Sequence, residues 1–350
     1  MTRTSRALAA FLALSLGSPA LQADDRIDSL TQEALQEAFR VLRSDFIRHD
    51  ELTYEEINRA ALDGLLQRLE LGAELVSSSG EGTDDESKIE FYADLITPAI
   101  GYIRLACYQA EEIEEFDESL AGLQDAEADT LILDLRAPQP NADLNFAARI
   151  LDRFVEANTV LFRIQKQRDA RPKNYFSQAS NRSWDGNLIV LVDEETCNAG
   201  EVIAALLNQK RDCIIIGQKT RGRTVEYEKI ALNEKTSLKF AVAEVVLADE
   251  SPLYQVGVQP DLVIRPDLPS KGKIFEKTKT NAIQSYIFDR ARPRMNEAAL
   301  VHETDPELDY HLARARGEIT EFDRTPLQDR VLQRAVDMLL SMAHLEAEEE

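Results

Sequence analysis

Apolar residues recur at helical spacing near the start of the chain. Leu30, Leu35, Phe39, Leu42 and Phe46 share one face, and a second start at Thr53, with Glu55 and Glu56 in its first turn, places Ile57, Ala61, Leu65 and Leu69 on another. From Ser77 to Ser87 the sequence turns polar and glycine-bearing, the signature of a linker or exposed loop. Beyond it the period changes. Ile100–Cys107, Thr130–Leu135, Leu188–Val192 and Cys213–Ile216 read as short apolar strands. Helical patterns over Ile113–Leu123, Leu144–Val155 and Glu201–Leu207 fall between them. Such alternation predicts a mostly parallel sheet covered by helices on both faces. Leu238–Leu247 alternates more and predicts a later, more exposed strand. Pro266–Lys279 is polar and reads as a loop, and Leu327, Val331, Ala335, Leu339 and Met342 mark a terminal helix before the acidic tail Glu346–Glu350.

The first residues change the expected compartment. Arg3 and Arg6 precede the apolar run Ala7–Gly17, which is too short to span a bilayer, and Ala20-Leu21-Gln22-Ala23 follows as a small-residue ending. This predicts a Sec-type signal cut after Ala23 and an exported protein, periplasmic or secreted, with no membrane span in the mature chain. The formal net charge of −23 over 350 residues repels phosphates and anionic lipid heads, so nucleic acid is excluded as a partner. Three cysteines leave an odd thiol, and Cys107 and Cys213, both in strand-like runs, are expected as core residues. Four histidines, none grouped with cysteine or carboxylate at ligand spacing, predict no metal and no cofactor.

Six segments, in order, resemble the C-terminal processing (tail-specific) serine peptidases: Leu52–Leu66 (LTYEEINRAALDGLL), Gly101–Leu105 (GYIRL), Leu131–Arg136 (LILDLR), Leu188–Ile203, Gly217–Arg223 (GQKTRGR) and Val256–Asp261 (VGVQPD). The resemblance implies an α/β fold with a ClpP/crotonase-like core. The implied organisation is a signal peptide over 1–23, an N-terminal helical segment over 24–76 and a tail-specific peptidase-like core over 100–265. A linker over 77–99 stands where family members often carry a PDZ domain, and a C-terminal helical extension with its acidic tail covers 266–350.

The same resemblance locates a site and shows it altered. The family's serine lies in a stretch like S-A-S-E; with its glutamate on Glu201, the nucleophile position is Asn198, which carries no hydroxyl. The family's catalytic lysine falls on Arg223, and arginine stays protonated and cannot serve as the base. Lys219 matches an earlier, non-catalytic lysine. After LILDLR the family has a glycine-bearing oxyanion loop, whereas this chain has Ala137-Pro138-Gln139-Pro140-Asn141. Pro140 there has no N–H to donate, which leaves the Ala199 N–H as the surviving donor.

Removing a nucleophile or a base alone lowers rates by orders of magnitude, so the expectation is a pseudopeptidase with no intact catalytic residue. Its cleft would bind a polypeptide, a protein partner or a small ligand, with Arg223 suited to a carboxylate or else held in a structural ion pair. Two alternatives stand beside it. One is a hydrolase of altered chemistry that uses Cys197 or Thr196 as nucleophile. The other is a structural homo-oligomer assembled through the helical ends.

Overall fold

The computed structural model describes residues 29–77, 89–137, 143–166, 171–178, 183–265, 267–287, 305–317 and 327–349. The expected signal peptide, and with it Pro140 and Asn141, lies outside the described residues. The chain divides into two units, residues 1–70 and 71–350.

The described part of the first unit is two α-helices, α1 (Gln32–Asp45) and α2 (Tyr54–Leu69), with a 3-10 turn at His49–Glu51 between them. Each starts on a threonine cap: the Thr31 hydroxyl accepts from the Ala34 N–H and the Thr53 hydroxyl from the Glu56 N–H, satisfying first-turn donors that a helix cannot satisfy itself. Neither helix contains a buried residue, and Phe39, Leu42, Leu65 and Leu69 are exposed.

Among the described residues the second unit contains two sheets. The strands are β1 (Ala73–Ser77), β2 (Tyr92–Thr97), β3 (Ile100–Arg104), β4 (Thr130–Asp134), β5 (Val160–Lys166), β6 (Lys173–Phe176), β7 (Asn187–Val192), β8 (Ile214–Gly217), β9 (Val225–Ala231), β10 (Thr236–Leu247) and β11 (Leu262–Val263). The larger sheet runs β11-β8-β7-β4-β3-β2, parallel except for β2, which pairs antiparallel with β3 at the edge. The helices are α3 (Glu112–Asp125), α4 (Leu144–Leu151), α5 (Ala199–Arg211), α6 (Leu268–Lys277), α7 (Pro306–Ala315) and α8 (Arg330–Glu349).

Strand alternation divides the core in two. Ile103, Leu131, Leu133, Val190 and Val192 point to one face and pack with Phe116, Phe146 and Val202 from α3, α4 and α5. Tyr102, Ile132, Ile189, Leu191 and Ile216 point to the other and pack with Ile274 and Phe275 of α6 and Val331, Leu332 and Ala335 of α8. The C-terminal extension is therefore the second helical layer, without which this face of the central strands would meet water.

Three expectations are corrected. The loop expected over 266–279 is helix α6: Pro269 sits in its first turn, where the missing N–H costs nothing, and Ile274 and Phe275 are buried beneath it. Within the linker expected over 77–99, Tyr92–Thr97 form strand β2, whose mixed residues suit an edge, while 78–88 lie outside the described residues; the preceding helical segment already ends in β1. A second, antiparallel sheet was not expected. Strands β9 and β10 pair along their length, while β1 and β5 pair with the first and second halves of β10's other edge and β6 lies beyond β5. Among the described residues no helix is long and apolar enough to cross a membrane.

Candidate functional site

The site forms where β7 ends. The Asp193 carboxylate accepts the N–H groups of Glu195 (3.0 Å) and Thr196 (3.2 Å), closing a turn. The Thr196 hydroxyl accepts from the Asp193 N–H (3.0 Å) and donates to the Leu135 carbonyl (3.0 Å), which pins that turn to the exit of β4. Asn198 then stands at the apex with φ 50° and ψ −119°, immediately before α5. This is a strained conformation for a residue with a side chain, typically costing about 1–3 kcal/mol, and asparagine is among those that tolerate positive φ best. The chain doubles back sharply there, so the side chain at 198 and the N–H of Ala199, the first residue of α5, sit at the positive end of a 13-residue helix. Gly200 lacks the Cβ that would press on the Thr196 methyl (3.1 Å) and reach the buried Tyr108 ring.

A second turn, Gly217–Arg223, is held against the first by Glu201 of α5. This side chain is 0% exposed, and its carboxylate accepts from the Thr220 hydroxyl (2.5 Å), the Gly222 N–H (2.5 Å), the Arg223 N–H (2.9 Å) and the Thr224 hydroxyl (2.6 Å). Burial pushes its pKa up against the pull of those four donors. The Arg221 N–H also donates to the Thr196 carbonyl (3.0 Å), joining the two turns directly. From behind, Val258 N–H donates to the Thr220 hydroxyl (2.8 Å) and Thr220 N–H to the Val258 carbonyl (3.1 Å). That approach needs Gly257, at φ +67°, because a Cβ there would lie 2.6 Å from the Thr220 carbonyl oxygen.

Arg223 leaves this turn into a cluster supplied by the second sheet. Its Nε donates to the Tyr227 hydroxyl (2.9 Å) and its Nη2 to Glu74 of β1 (3.1 Å), which also receives Lys239 (3.1 Å). The guanidinium carbon lies 4.9 Å from the Tyr227 ring centroid. Burial works against the charge, but Tyr227 and Glu74 outweigh it, and the arginine stands above its usual pKa. Cys197, buried between Thr196 and Asn198, lies within electrostatic reach of this guanidinium.

Residues 99–264 match peptidase family S41. The carboxyl-terminal-processing protease of Synechocystis sp. is 26% identical over 176 residues, which is 50% of this chain and 40% of that protein. The core of this chain is similar to peptidase family S41. A second relative, the carboxy-terminal-processing protease of Bartonella bacilliformis, is 25% identical over 243 residues, covering 66% of this chain and 55% of its own length. The chain thus spans about half the length of the curated relatives it matches. The solved structure of the photosystem II D1 C-terminal processing protease aligns with 20% identity and a TM-score of 0.44, over 54% of this chain and 52% of that one.

Within this S41-like core the fold brings together Thr196, Cys197, Asn198, Ala199 and Arg223, all from two turns clamped by Glu201. Trp184 is buried and donates to the Asn187 carbonyl (3.3 Å). Cys213 is a core thiol, whereas Cys107 is half-buried in the loop after β3, and none of the three cysteines forms a disulfide. Among the described residues no three His, Cys, Asp or Glu side chains converge as a metal site would require. Sequence reasoning missed Glu74, Tyr227, Lys239 and Lys271. Tyr227, four residues past Arg223 on the following strand, carried a local signal; the others reach the site only through tertiary pairing.

Proposed function

We propose that this chain is an exported, non-catalytic homologue of the S41 peptidases whose altered cleft binds a polypeptide or small ligand. The observation that carries this reading is the state of the two key positions. The strained apex that presents a side chain at the helix N-terminus is kept, but it presents the amide of Asn198. The position matching the family's lysine holds an arginine fixed by Glu74 and Tyr227 and raised in pKa, the opposite of what a proton acceptor needs. Strain without chemistry is costly to retain unless the shape itself is used. Export rests on the Ala7–Ala23 pattern. The test is fluorescence anisotropy of a labelled unfolded polypeptide mixed with the full chain. Saturable binding that is lost on Arg221→Glu, which reverses an exposed charge on the turn facing Asn198, supports the reading. Binding unaffected by that substitution removes the cleft from it.

Self-association is a second reading, favoured by the exposed apolar faces of α1 and α2. Light scattering of the purified chain distinguishes a closed oligomer from a monomer.

A further inference from the structure

Lys271 belongs to α6, outside the segment that matches the family. It is 5% exposed, and each of its three N–H donors has a distinct acceptor. Its Nζ donates to the Arg136 carbonyl (2.9 Å), to Asp193 Oδ2 (2.6 Å) and to Glu195 Oε2 (2.6 Å). These acceptors lie on two different loops. Arg136 stands at the exit of β4, where the stretch resembling an oxyanion loop begins, and Asp193 and Glu195 form the turn that leads to Asn198. One ammonium therefore bridges the exit of β4 and the Asp193–Asn198 turn.

The extension holds the first of these loops a second time. The buried Arg136 guanidinium forks between Asp134 (2.9 and 2.6 Å) and Asp329 (2.9 and 2.7 Å), and Asp329 directly precedes α8. Charge-assisted bonds of 2.6–2.9 Å tolerate little lengthening, so neither the Leu135–Ala137 stretch nor the Asp193–Asn198 turn can move far while α6 and α8 stay docked. Removing the ammonium would leave Asp193 buried beside Glu195 with its principal cation gone, a strong force for local opening of that turn.

We infer that Lys271 is a positioning residue: the C-terminal extension acts as a latch that sets the spacing between the Leu135–Ala137 stretch and the Asp193–Asn198 turn, so that its docking and ligand occupancy beside Asn198 are thermodynamically coupled. The occupancy half of this inference rests on the binding reading above; the latch itself does not.

The cysteines supply the test. Cys197 lies in the latched turn and Cys213 is a buried thiol just before β8, away from both loops. In the full chain carrying Cys107→Ser, labelling of the two remaining thiols by N-ethylmaleimide is followed by peptide mass spectrometry. Lys271→Met is expected to speed labelling of Cys197 by about tenfold or more while Cys213 changes less than about twofold, because local opening, not global unfolding, exposes it. Lys271→Arg restores most of the protection. Should Lys271→Met fail to fold, Glu195→Gln, which alters only the half-exposed acceptor, gives a smaller rise in the same ratio. Acceleration of both thiols together, or of neither, overturns the latch. Labelled unfolded polypeptide is then added to the native chain. Protection of Cys197, with weaker binding by Lys271→Met, supports coupling. A shifted thiol ratio with no polypeptide binding keeps the latch and sinks the binding reading; binding of equal strength to both proteins sinks the coupling.

Discussion

Glu201 offers the sharpest quantitative test of how the site is built. Its carboxylate holds two backbone N–H groups and two hydroxyls of the Arg223 turn, all in the interior. Hydrogen bonds to a charged group contribute about 1.5–3 kcal/mol net each, but the buried carboxylate also carries a desolvation penalty of several kcal/mol. Glu201→Ala removes that penalty and strands four donors, for an expected net loss of about 4 kcal/mol. Glu201→Gln keeps one acceptor oxygen and turns an NH2 toward backbone donors, for a loss of about 2–3 kcal/mol. The sign of the pH dependence follows from the raised pKa. In the window between the unfolded and folded values the native state binds more protons, so the contribution of Glu201 is full below the unfolded value and declines as pH rises through the folded one. The cost of Glu201→Gln should therefore be larger at acid pH than at neutrality. Denaturant unfolding at several pH values, read as midpoint shifts at constant slope, measures both. A loss under about 1 kcal/mol for the alanine variant, or a glutamine cost that grows with pH, would refute the reasoning.

Other parts of the account make equally direct predictions. Asp329→Ala breaks half of the buried Arg136 fork and removes the cap on the Leu332 N–H, and should lower stability by about 3–5 kcal/mol in the same unfolding assay. Asp329→Asn, which retains the cap, should cost about 1 kcal/mol less. Gly257→Ala places a methyl 2.6 Å from the Thr220 carbonyl at a positive φ, for an expected loss of about 2 kcal/mol or more; an unchanged midpoint contradicts the close approach. Iodoacetamide should label the native Cys197 slowly near neutral pH; rapid single-site labelling, together with hydrolysis abolished by Cys197→Ala, would instead identify it as a relocated nucleophile.

The elements legible in the sequence are those whose signal is local. Strands β3, β4 and β7 are continuous apolar runs because both of their faces are buried, α3 shows a one-sided apolar stripe, and α5 is a small-residue and apolar run buried all round from Ala199 to Leu207. Helix α6 was hidden by Pro269, Gly272 and its lysines, since the burial of Lys271 depends on acceptors far along the chain. The strands of the second sheet are half-exposed and rich in charge, and β9 buries only its first residue. At the site, Asn198, Ala199, Cys197 and Arg223 were legible because each lies in a short motif. The partners of those motifs were not. Arg223 meets Glu74 across 149 residues and Arg136 meets Asp329 across 193, separations at which no periodicity or spacing carries information.

The central claim is that the cleft has lost its chemistry and kept its shape. Its most direct test is cleavage of unfolded and C-terminally tagged proteins by the natural chain beside its Asn198→Ser/Arg223→Lys double variant, read by intact mass. The account predicts that the natural chain leaves every substrate whole while the double variant gains weak hydrolysis. Cleavage by the natural chain itself, at a rate the double variant does not exceed, would contradict it.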